Sequence, residues 1–106
     1  MTESEFNERA DAVLREIEEA LDAVDLGIDC SRSGNVLTLE LDNDTKVIVN
    51  TQAAMCQIWV AARSGGYHFG YDGGQWRDTR EGTELFGALS KIISVQGGHP
   101  VVLRQR

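Results

Sequence analysis

Apolar side chains recur every three or four positions through the first quarter of the chain. The recurring residues are Phe6, Ala10, Val13, Leu14, Ile17, Leu21 and Val24. At about 100° per residue this spacing gathers them into one stripe, which predicts an amphipathic helix. Thr2 followed by Glu5 has the form of a capping box, and Gly27 suits the left-handed conformation that ends a helix.

After Gly27 the apolar period changes from about 3.6 to about 2, which is typical of strands. The predicted strands cover residues 28–32, 36–41, 45–50, 57–63, 67–71 and 75–77. The turns between them are predicted at Ser33-Gly34-Asn35, Asp42-Asn43-Asp44, Ser64-Gly65-Gly66 and Asp72-Gly73-Gly74. This regular succession of short strands and turns predicts an antiparallel meander. Alternation in the second strand directs Leu37, Leu39 and Leu41 to the core.

Helical spacing returns near the end of the chain. Its apolar positions are Leu85, Phe86, Leu89, Ile92 and Ile93. Thr83 is the predicted cap, Gly97 and Gly98 predict a stop before Pro100, and residues 101–103 are expected between the helices or against the sheet edge. The fold class is therefore α+β, with two helices packed on one face of the sheet and the other face open to solvent. We expect residues 1–106 to form a single domain.

Charge is distributed unevenly along the 106 residues. Residues 1–44 hold 13 of the 17 carboxylates against three basic side chains, and residues 45–106 hold four acids against seven bases. The net charge of −7 argues against nucleic acid and anionic membranes as partners, and favours cations or basic proteins. No apolar run approaches the ~20 residues of a membrane span, and the acidic start is unlike a signal peptide. We expect a soluble intracellular protein with reduced cysteines.

The carboxylates of the first helix concentrate on one side of it. Measured from Ile17, the positions of Glu8, Asp11, Glu18, Asp22 and Asp25 lie roughly 80–180° around the helix, and Glu19 lies just beyond. Asp29, at the start of the first strand, is expected to extend the same surface. Exposed oxygen ligands suit hard cations, which they would hold weakly. The alternative interpretation is an ordinary solvated helix face.

Other chemistry receives little support from the sequence. His68, His99, Cys30 and Cys56 are too widely spaced for a zinc motif, and Cys30 is interpreted as a small core residue. No nucleophile motif is present, and carboxylates on an open helix have no pocket that would tune their pKa values. We therefore predict no catalytic residues and a protein that is not an enzyme.

Trp59 marks a second candidate surface. Alternation turns Ile58 and Val60 inward, and therefore places Trp59 on the open face of the sheet. Its expected neighbours on that face are Thr38, Lys46, Ile48, Gln57 and His68. An apolar centre with a polar rim suits a protein partner. The alternative is that a loop buries Trp59.

The tract 50–61, NTQAAMCQIWVA, followed by Gly65-Gly66-Tyr67-His68-Phe69, resembles the signature of the frataxin family. The resemblance to its bacterial members extends over nearly the whole chain. It includes Ser4-Glu5-Phe6, Ile28-Asp29-Cys30 and the strand from Asn35 to Leu39. Ala54 stands where the family often has proline, and residues 23–27 are poorer in acids than bacterial relatives tend to be, so iron capacity is expected to be lower.

The resemblance implies a small cytoplasmic iron-binding protein of iron–sulfur cluster assembly. It implies weak surface binding of Fe²⁺ and Fe³⁺, with other divalent or trivalent cations able to substitute, and docking on the cysteine desulfurase and the scaffold protein. The protein is expected to be monomeric without metal. By position, the resemblance assigns partner or metal contacts to Glu18, Glu19, Asp22, Asp25, Asp29, Asn50, Gln57 and Trp59, and Thr38 and Lys46 join the partner face.

Two other functions remain open at this point. A ferroxidase or iron store would hold iron on the same carboxylates during oxidation, although the chain has no buried Glu-x-x-His pair of the kind that di-iron proteins use. A pure interaction module would use the acidic surface for proteins alone.

Overall fold

A computed structural model of the chain describes residues 1–24 and 27–105. The first helix, α1, spans Glu3–Asp22. The predicted capping box is present, because the Glu5 amide donates to Thr2 Oγ1 at 3.1 Å and the Thr2 amide donates to Glu5 Oε1 at 3.4 Å. These bonds satisfy main-chain donors that the first helical turn leaves unpaired.

The end of α1 differs from the prediction. The helix stops at Asp22, where the Ala23 amide donates to the Glu19 carbonyl and the Val24 amide donates to the Leu21 carbonyl, both at 3.2 Å. The second bond tightens the last turn and ends the α-helical ladder. Gly27 has the predicted positive φ, 66°, but it lies beyond the helix and begins the approach to the sheet.

Six strands form one antiparallel sheet in which the spatial order equals the chain order. They are β1 (Asp29–Ser33), β2 (Val36–Glu40), β3 (Lys46–Gln52), β4 (Gln57–Ala62), β5 (Gly65–Asp72) and β6 (Gln75–Asp78). The meander is therefore confirmed. β4 ends and β5 begins earlier than predicted, because Ala62 pairs with Gly65 and the hairpin turn is Arg63-Ser64. A short 3₁₀ helix, Ala53–Met55, precedes β4 and was not predicted.

The second helix, α2, spans Leu85–Gly97. Its cap is Glu84 rather than the predicted Thr83: the Glu84 carboxylate accepts from the Phe86 amide at 2.8 Å and the Gly87 amide at 3.2 Å. Glu84 forms a β-bridge with Arg77, so the chain reaches the helix in extended conformation at this residue. The predicted stop is confirmed, since Gly98 caps the helix in the left-handed conformation.

Both helices cover one face of the sheet, as the fold class predicts. The core between the layers contains Phe6, Leu14 and Ile17 from α1, Leu37, Leu39, Val47, Val49, Ile58, Val60 and Phe69 from the sheet, and Leu85, Leu89 and Ile93 from α2. The alternation in β2 is as predicted, with Leu37 and Leu39 buried between half-buried residues. Each such side chain contributes about 1.5–3 kcal/mol by leaving water.

The C-terminal segment lies between the helices. Ser90 and Ser94 of α2 accept the amides of Leu103 and Val101 through their hydroxyl oxygens, each at 2.8 Å. At the other side, Gln105 Nε2 donates to Glu16 Oε2 of α1 at 2.7 Å. Val101 and Leu103 are buried by this arrangement. The first of the two predicted positions for residues 101–103 is therefore the observed one.

Candidate functional site

The acidic ridge is defined here by the α1 carboxylates Glu8, Asp11, Glu18, Glu19 and Asp22. The buried stripe of α1 fixes its orientation, so the opposite side of the helix faces solvent. All five lie within the helix, Glu18 being half-buried and the other four exposed. Asp25, the sixth predicted helix carboxylate, falls outside the described residues. The structure thus brings the helix carboxylates to one exposed surface, as the spacing predicts.

Arg32 of β1 neutralises part of the acidic ridge. Its Nη2 donates to Asp11 Oδ1 at 2.5 Å, and its Nη1 lies 3.8 Å from Glu18 Oε1. Arg15, the one basic residue that interrupts the ridge, adds a contact to Asp11 at 3.4 Å. The hydrogen bond from Arg32, together with the charges of Arg32 and Arg15, lowers the pKa of Asp11 below its ordinary value. The Asp11 carboxylate is therefore held in its ionised form, but it already forms ion pairs with Arg32 and Arg15.

Asp29 does not extend the ridge in the predicted way. In β1 the half-buried positions are Cys30 and Arg32, which face the helices. Asp29 therefore points to the opposite sheet face. In the strand register its neighbour on β2 is Glu40, and the neighbour of Glu40 on β3 is Lys46. Because strand side chains alternate between faces, the first strand residue and the helix carboxylates lie on different layers of the molecule.

Cys30 lies beneath the acidic ridge, half-buried against the core. Burial raises the pKa of its thiol to about 11, and the negative charges of Glu18 and Asp22 act in the same direction. Since the thiolate is the form that binds metals and reacts, a thiol held protonated suits the predicted core role. Both Cys30 and Cys56 are free thiols.

Within residues 1–24 and 27–105, no three side chains of the His, Cys, Asp or Glu type lie close enough to form a metal-binding cluster. The ridge carboxylates are instead spread along the helix. The ridge is therefore not a closed coordination site. Its separate, exposed carboxylate oxygens would bind a cation whose remaining ligands are water molecules.

The predicted partner residues of the sheet all share its open face. Antiparallel pairing aligns Val36, Asn50, Trp59 and His68 in one row across β2 to β5. Thr38 and Ile48 occupy the next row, and Lys46, which contacts Glu40 at 4.0 Å, lies one row further. On the other side of Trp59, Gln57 pairs with Gln52. We call this surface the Trp59 face.

Trp59 is half-buried, so neither predicted alternative describes it fully. Its indole stacks on the His68 imidazole with ring centroids 4.3 Å apart, and its Nε1 donates to Gln57 Oε1 at 2.9 Å. The side chain of His68, on the neighbouring strand, covers one face of the indole. Beside it, a depression of about 170 Å³ is lined by Ile48, Asn50, Trp59, Val60, Ala61, Gly66 and His68. Asn50 Oδ1 is buried there and accepts no hydrogen bond from the described residues.

Sequence reasoning missed Arg32 as a member of the ridge surface. A signal for it was present: in an edge strand of period 2, Arg32 has the same parity as the half-buried Cys30 and pairs with the buried Leu37. A charged side chain on the helix-facing side of an edge strand needs a counter-charge, and the carboxylates of α1 provide one.

The chain is similar to known proteins over nearly its whole length. The family model described as a frataxin-like domain matches residues 1–99. A relative from Janthinobacterium sp. (strain Marseille), named iron-sulfur cluster assembly protein CyaY, is 56% identical over 98% of this chain and 97% of its own length. A relative of the same name from Paraburkholderia phymatum is 56% identical over 95% of this chain and 96% of its own length. These names describe an assembly protein and not an enzyme, which agrees with the prediction.

Solved structures agree with the fold. Frataxin from Psychromonas ingrahamii superposes with a TM-score of 0.91 at 36% identity, covering 99% of this chain and all of that one. Trimeric frataxin from the yeast Saccharomyces cerevisiae, solved in complex with ferrous iron, superposes with a TM-score of 0.67 at 30% identity, covering 89% of this chain and 86% of that one. Among the described helices, none combines the length and apolar character needed to cross a membrane.

Proposed function

The chain belongs to the frataxin family, and on that premise we propose that it is an iron-binding regulator of iron–sulfur cluster assembly. The observation that carries the proposal is the concentration of carboxylates on one exposed side of α1. The names of the relatives, which are assembly proteins, support the same role. In this proposal iron is either delivered by the protein or regulates its action, and it is not a resident cofactor.

The acidic ridge is proposed to bind Fe²⁺ and Fe³⁺ weakly. Carboxylate oxygens are hard ligands, and their exposure leaves water in the coordination shell, so other divalent and trivalent cations can substitute. The proposed ligands come from Glu8, Asp11, Glu18, Glu19, Asp22 and Asp25. Asp29 is left out because it points to the opposite sheet face. The yeast relative solved with ferrous iron gives the proposal independent support.

The ridge is also proposed to dock on a basic surface of the cysteine desulfurase, through Glu18, Glu19 and Asp22. Complementary charge speeds encounter more than it increases final affinity, and exposed ion pairs contribute only about 0–1 kcal/mol each. Several pairs must act together, and binding should weaken steeply with salt.

The Trp59 face is proposed to contact the scaffold protein, through Thr38, Lys46, Asn50, Gln57 and Trp59. A half-exposed aromatic ring beside polar groups is the composition that protein interfaces favour. The buried, unpaired Asn50 Oδ1 at the depression offers an acceptor for a donor of the scaffold.

We further propose that the protein acts in the cytoplasm and is monomeric without metal. In the described part of the chain, the exposed large apolar side chains are Met1, Met55, Val95 and Val102. They come from four different segments, and isolated surface apolar residues are ordinary in monomers.

The decisive experiment reverses the charge of Glu18, Glu19 and Asp22 by a triple change to Lys. We expect affinity for the cysteine desulfurase at low salt to fall by on the order of tenfold to a hundredfold. The matched control changes Asp42, Asp72 and Glu81, which are exposed outside α1, to Lys. Equal affinity of wild type and ridge variant, measured by calorimetry, would show that the ridge is not the docking surface.

A further inference from the structure

We propose that Arg32 is a resident counter-ion that withholds Asp11 and Glu18 from exchangeable cations and so confines cation binding to the rest of the acidic ridge. The inference rests on the proposed function, since it concerns which carboxylates of that surface are available. It assigns Arg32 a specificity-determining role at that surface.

Three contacts fix the guanidinium of Arg32. Besides Nη2 on Asp11 and Nη1 near Glu18, its Nε donates to the Gly34 carbonyl at 3.0 Å. The side chain is only 24% exposed, against 51% for Asp11 and 37% for Glu18. The Arg32 side chain is therefore less exposed than either carboxylate side chain, and the Gly34 carbonyl helps to orient its guanidinium.

Attachment to the chain favours Arg32 over a free ion. β1 is paired with β2 along its whole length, so the Arg32 main chain is held in place. A group tethered to its site competes at an effective concentration of the order of millimolar. A weakly bound cation at micromolar concentration must displace Arg32 from its hydrogen bond with Asp11, while Glu18 still attracts the guanidinium. Arg15 is 63% exposed, and its ion pair among the described residues is with Asp11, so it is a much weaker competitor.

The carboxylates at the two ends of the ridge are not paired in this way. Among the residues that the structure describes, neither Glu8 nor Asp22 takes part in an ion pair within 4.0 Å. Both carboxylates are exposed. Asp11 and Glu18 are thus neutralised within the chain, and Glu8 and Asp22, at the two ends of the ridge, keep their negative charge for cations and basic proteins.

The test is a titration with Ca²⁺ alone, read from the chemical shift of each ridge carboxyl carbon by NMR, for wild type and Arg32→Gln. A diamagnetic ion is used because Glu8 lies one helical turn from Asp11, so a paramagnetic ion at either residue would broaden both. In wild type we expect the Asp22 shift to change at lower Ca²⁺ concentration than the Asp11 shift. In Arg32→Gln we expect the apparent affinity at Asp11 to rise roughly two- to fivefold, the size expected from one or two exposed ion pairs. Arg63→Gln is the charge-matched control, because Arg63 is exposed in the β4–β5 turn.

The outcomes separate the inference from the proposed function. Binding at Asp22 in both proteins, with the affinity at Asp11 unchanged by Arg32→Gln, would overturn the inference alone. Binding at Asp11 in the variant, without binding at Glu8 or Asp22 in either protein, would overturn both, because the inference places the available carboxylates there. No shift change at any ridge carboxylate of either protein would also overturn both. If Arg63→Gln raises the affinity at Asp11 as much as Arg32→Gln does, the increase reflects the net charge of the protein and not the contact with Arg32. That result would also overturn the inference.

A second comparison applies if Arg32→Gln does not fold. Asp11→Asn and Asp22→Asn remove one exposed carboxylate each from the same helix. We expect Asp22→Asn to weaken Ca²⁺ binding at least twofold and Asp11→Asn to change it less, because Arg32 already occupies Asp11. Equal weakening by the two variants would overturn the inference.

Discussion

The indole ring of Trp59 lies parallel to the imidazole ring of His68, with planes 8° apart and centroids separated by 4.3 Å. The two residues face each other across β4 and β5, and the Gln57 amide oxygen holds the indole Nε1. The stack covers one side of the indole and leaves the ring half-exposed. It therefore makes the centre of the Trp59 face a rigid aromatic platform.

Removing the imidazole tests this platform. We expect His68→Ala to lower the free energy of unfolding by about 0.5–1.5 kcal/mol, the usual contribution of an aromatic pair beyond its buried area. Quenching of Trp59 fluorescence by acrylamide should rise, and Trp76 will contribute little because it is buried. His99→Ala is the control, since His99 is exposed and its ion-pair contact within the described residues is with Asp42 at 4.0 Å. Unchanged quenching would contradict the stacking role.

The capping box of α1 is expected to matter for stability. Thr2→Ala removes the acceptor of the Glu5 amide and should cost about 1 kcal/mol in denaturant unfolding. Ser4→Ala, a hydroxyl deletion inside the same turn, is the control and should be close to neutral. The bond from the Thr2 amide is the main cause that lowers the pKa of Glu5. The Glu5 contribution is therefore present above pH 4.5 and lost as the pH falls through the lowered value.

The C-terminal segment offers two adjacent apolar residues with opposite environments. Leu103 is 4% exposed and Val102 is 61% exposed. We expect Leu103→Ala to lower the free energy of unfolding by about 2–5 kcal/mol, because it removes a buried side chain and leaves a cavity. Val102→Ala should change it by less than about 0.5 kcal/mol. Similar losses in both variants would show that residues 101–103 do not pack between the helices in solution.

Cys30 should be slow to react with iodoacetamide at neutral pH. Because its pKa is about 11, the rate should rise about tenfold per pH unit up to that value, as followed by mass spectrometry of the labelled peptide. The thiol is raised above its ordinary value of 9.0, so its contribution to stability is complete below pH 9.0 and is lost as the pH rises towards 11. Asp22→Asn should accelerate labelling only slightly, since burial is the larger cause. Rapid labelling at pH 7 would contradict the burial of this side chain.

Local signals in the sequence were sufficient for most of the fold. Leu37 and Leu39 alternate with polar positions, and their burial follows directly from the period of a strand. Thr2 and Glu5 form a capping box because the two residues are three positions apart on one turn. In each case the structure is decided by residues that are close together in the chain, so it can be predicted from their order in the sequence.

The sequence-based predictions were wrong or incomplete where segments that are distant in the chain come into contact. Glu84 caps α2 because its β-bridge to Arg77 sets the direction of the chain, and carboxylate length makes Glu an uncommon cap. Arg32 reaches Asp11 only after β1 and α1 have come together across 21 positions. Likewise the stack on Trp59 depends on the register of β4 against β5, and the candidate site therefore required the structure.

The strict neighbour-to-neighbour order of the six strands has a kinetic meaning. Each hairpin closes a short loop, so the sheet can assemble from pairings of low contact order, which favours rapid folding. The contact between Gln105 and Glu16 instead joins residues 89 positions apart. We expect such long-range contacts to form after the rate-limiting step, so weakening them should chiefly accelerate unfolding and leave the refolding rate nearly unchanged.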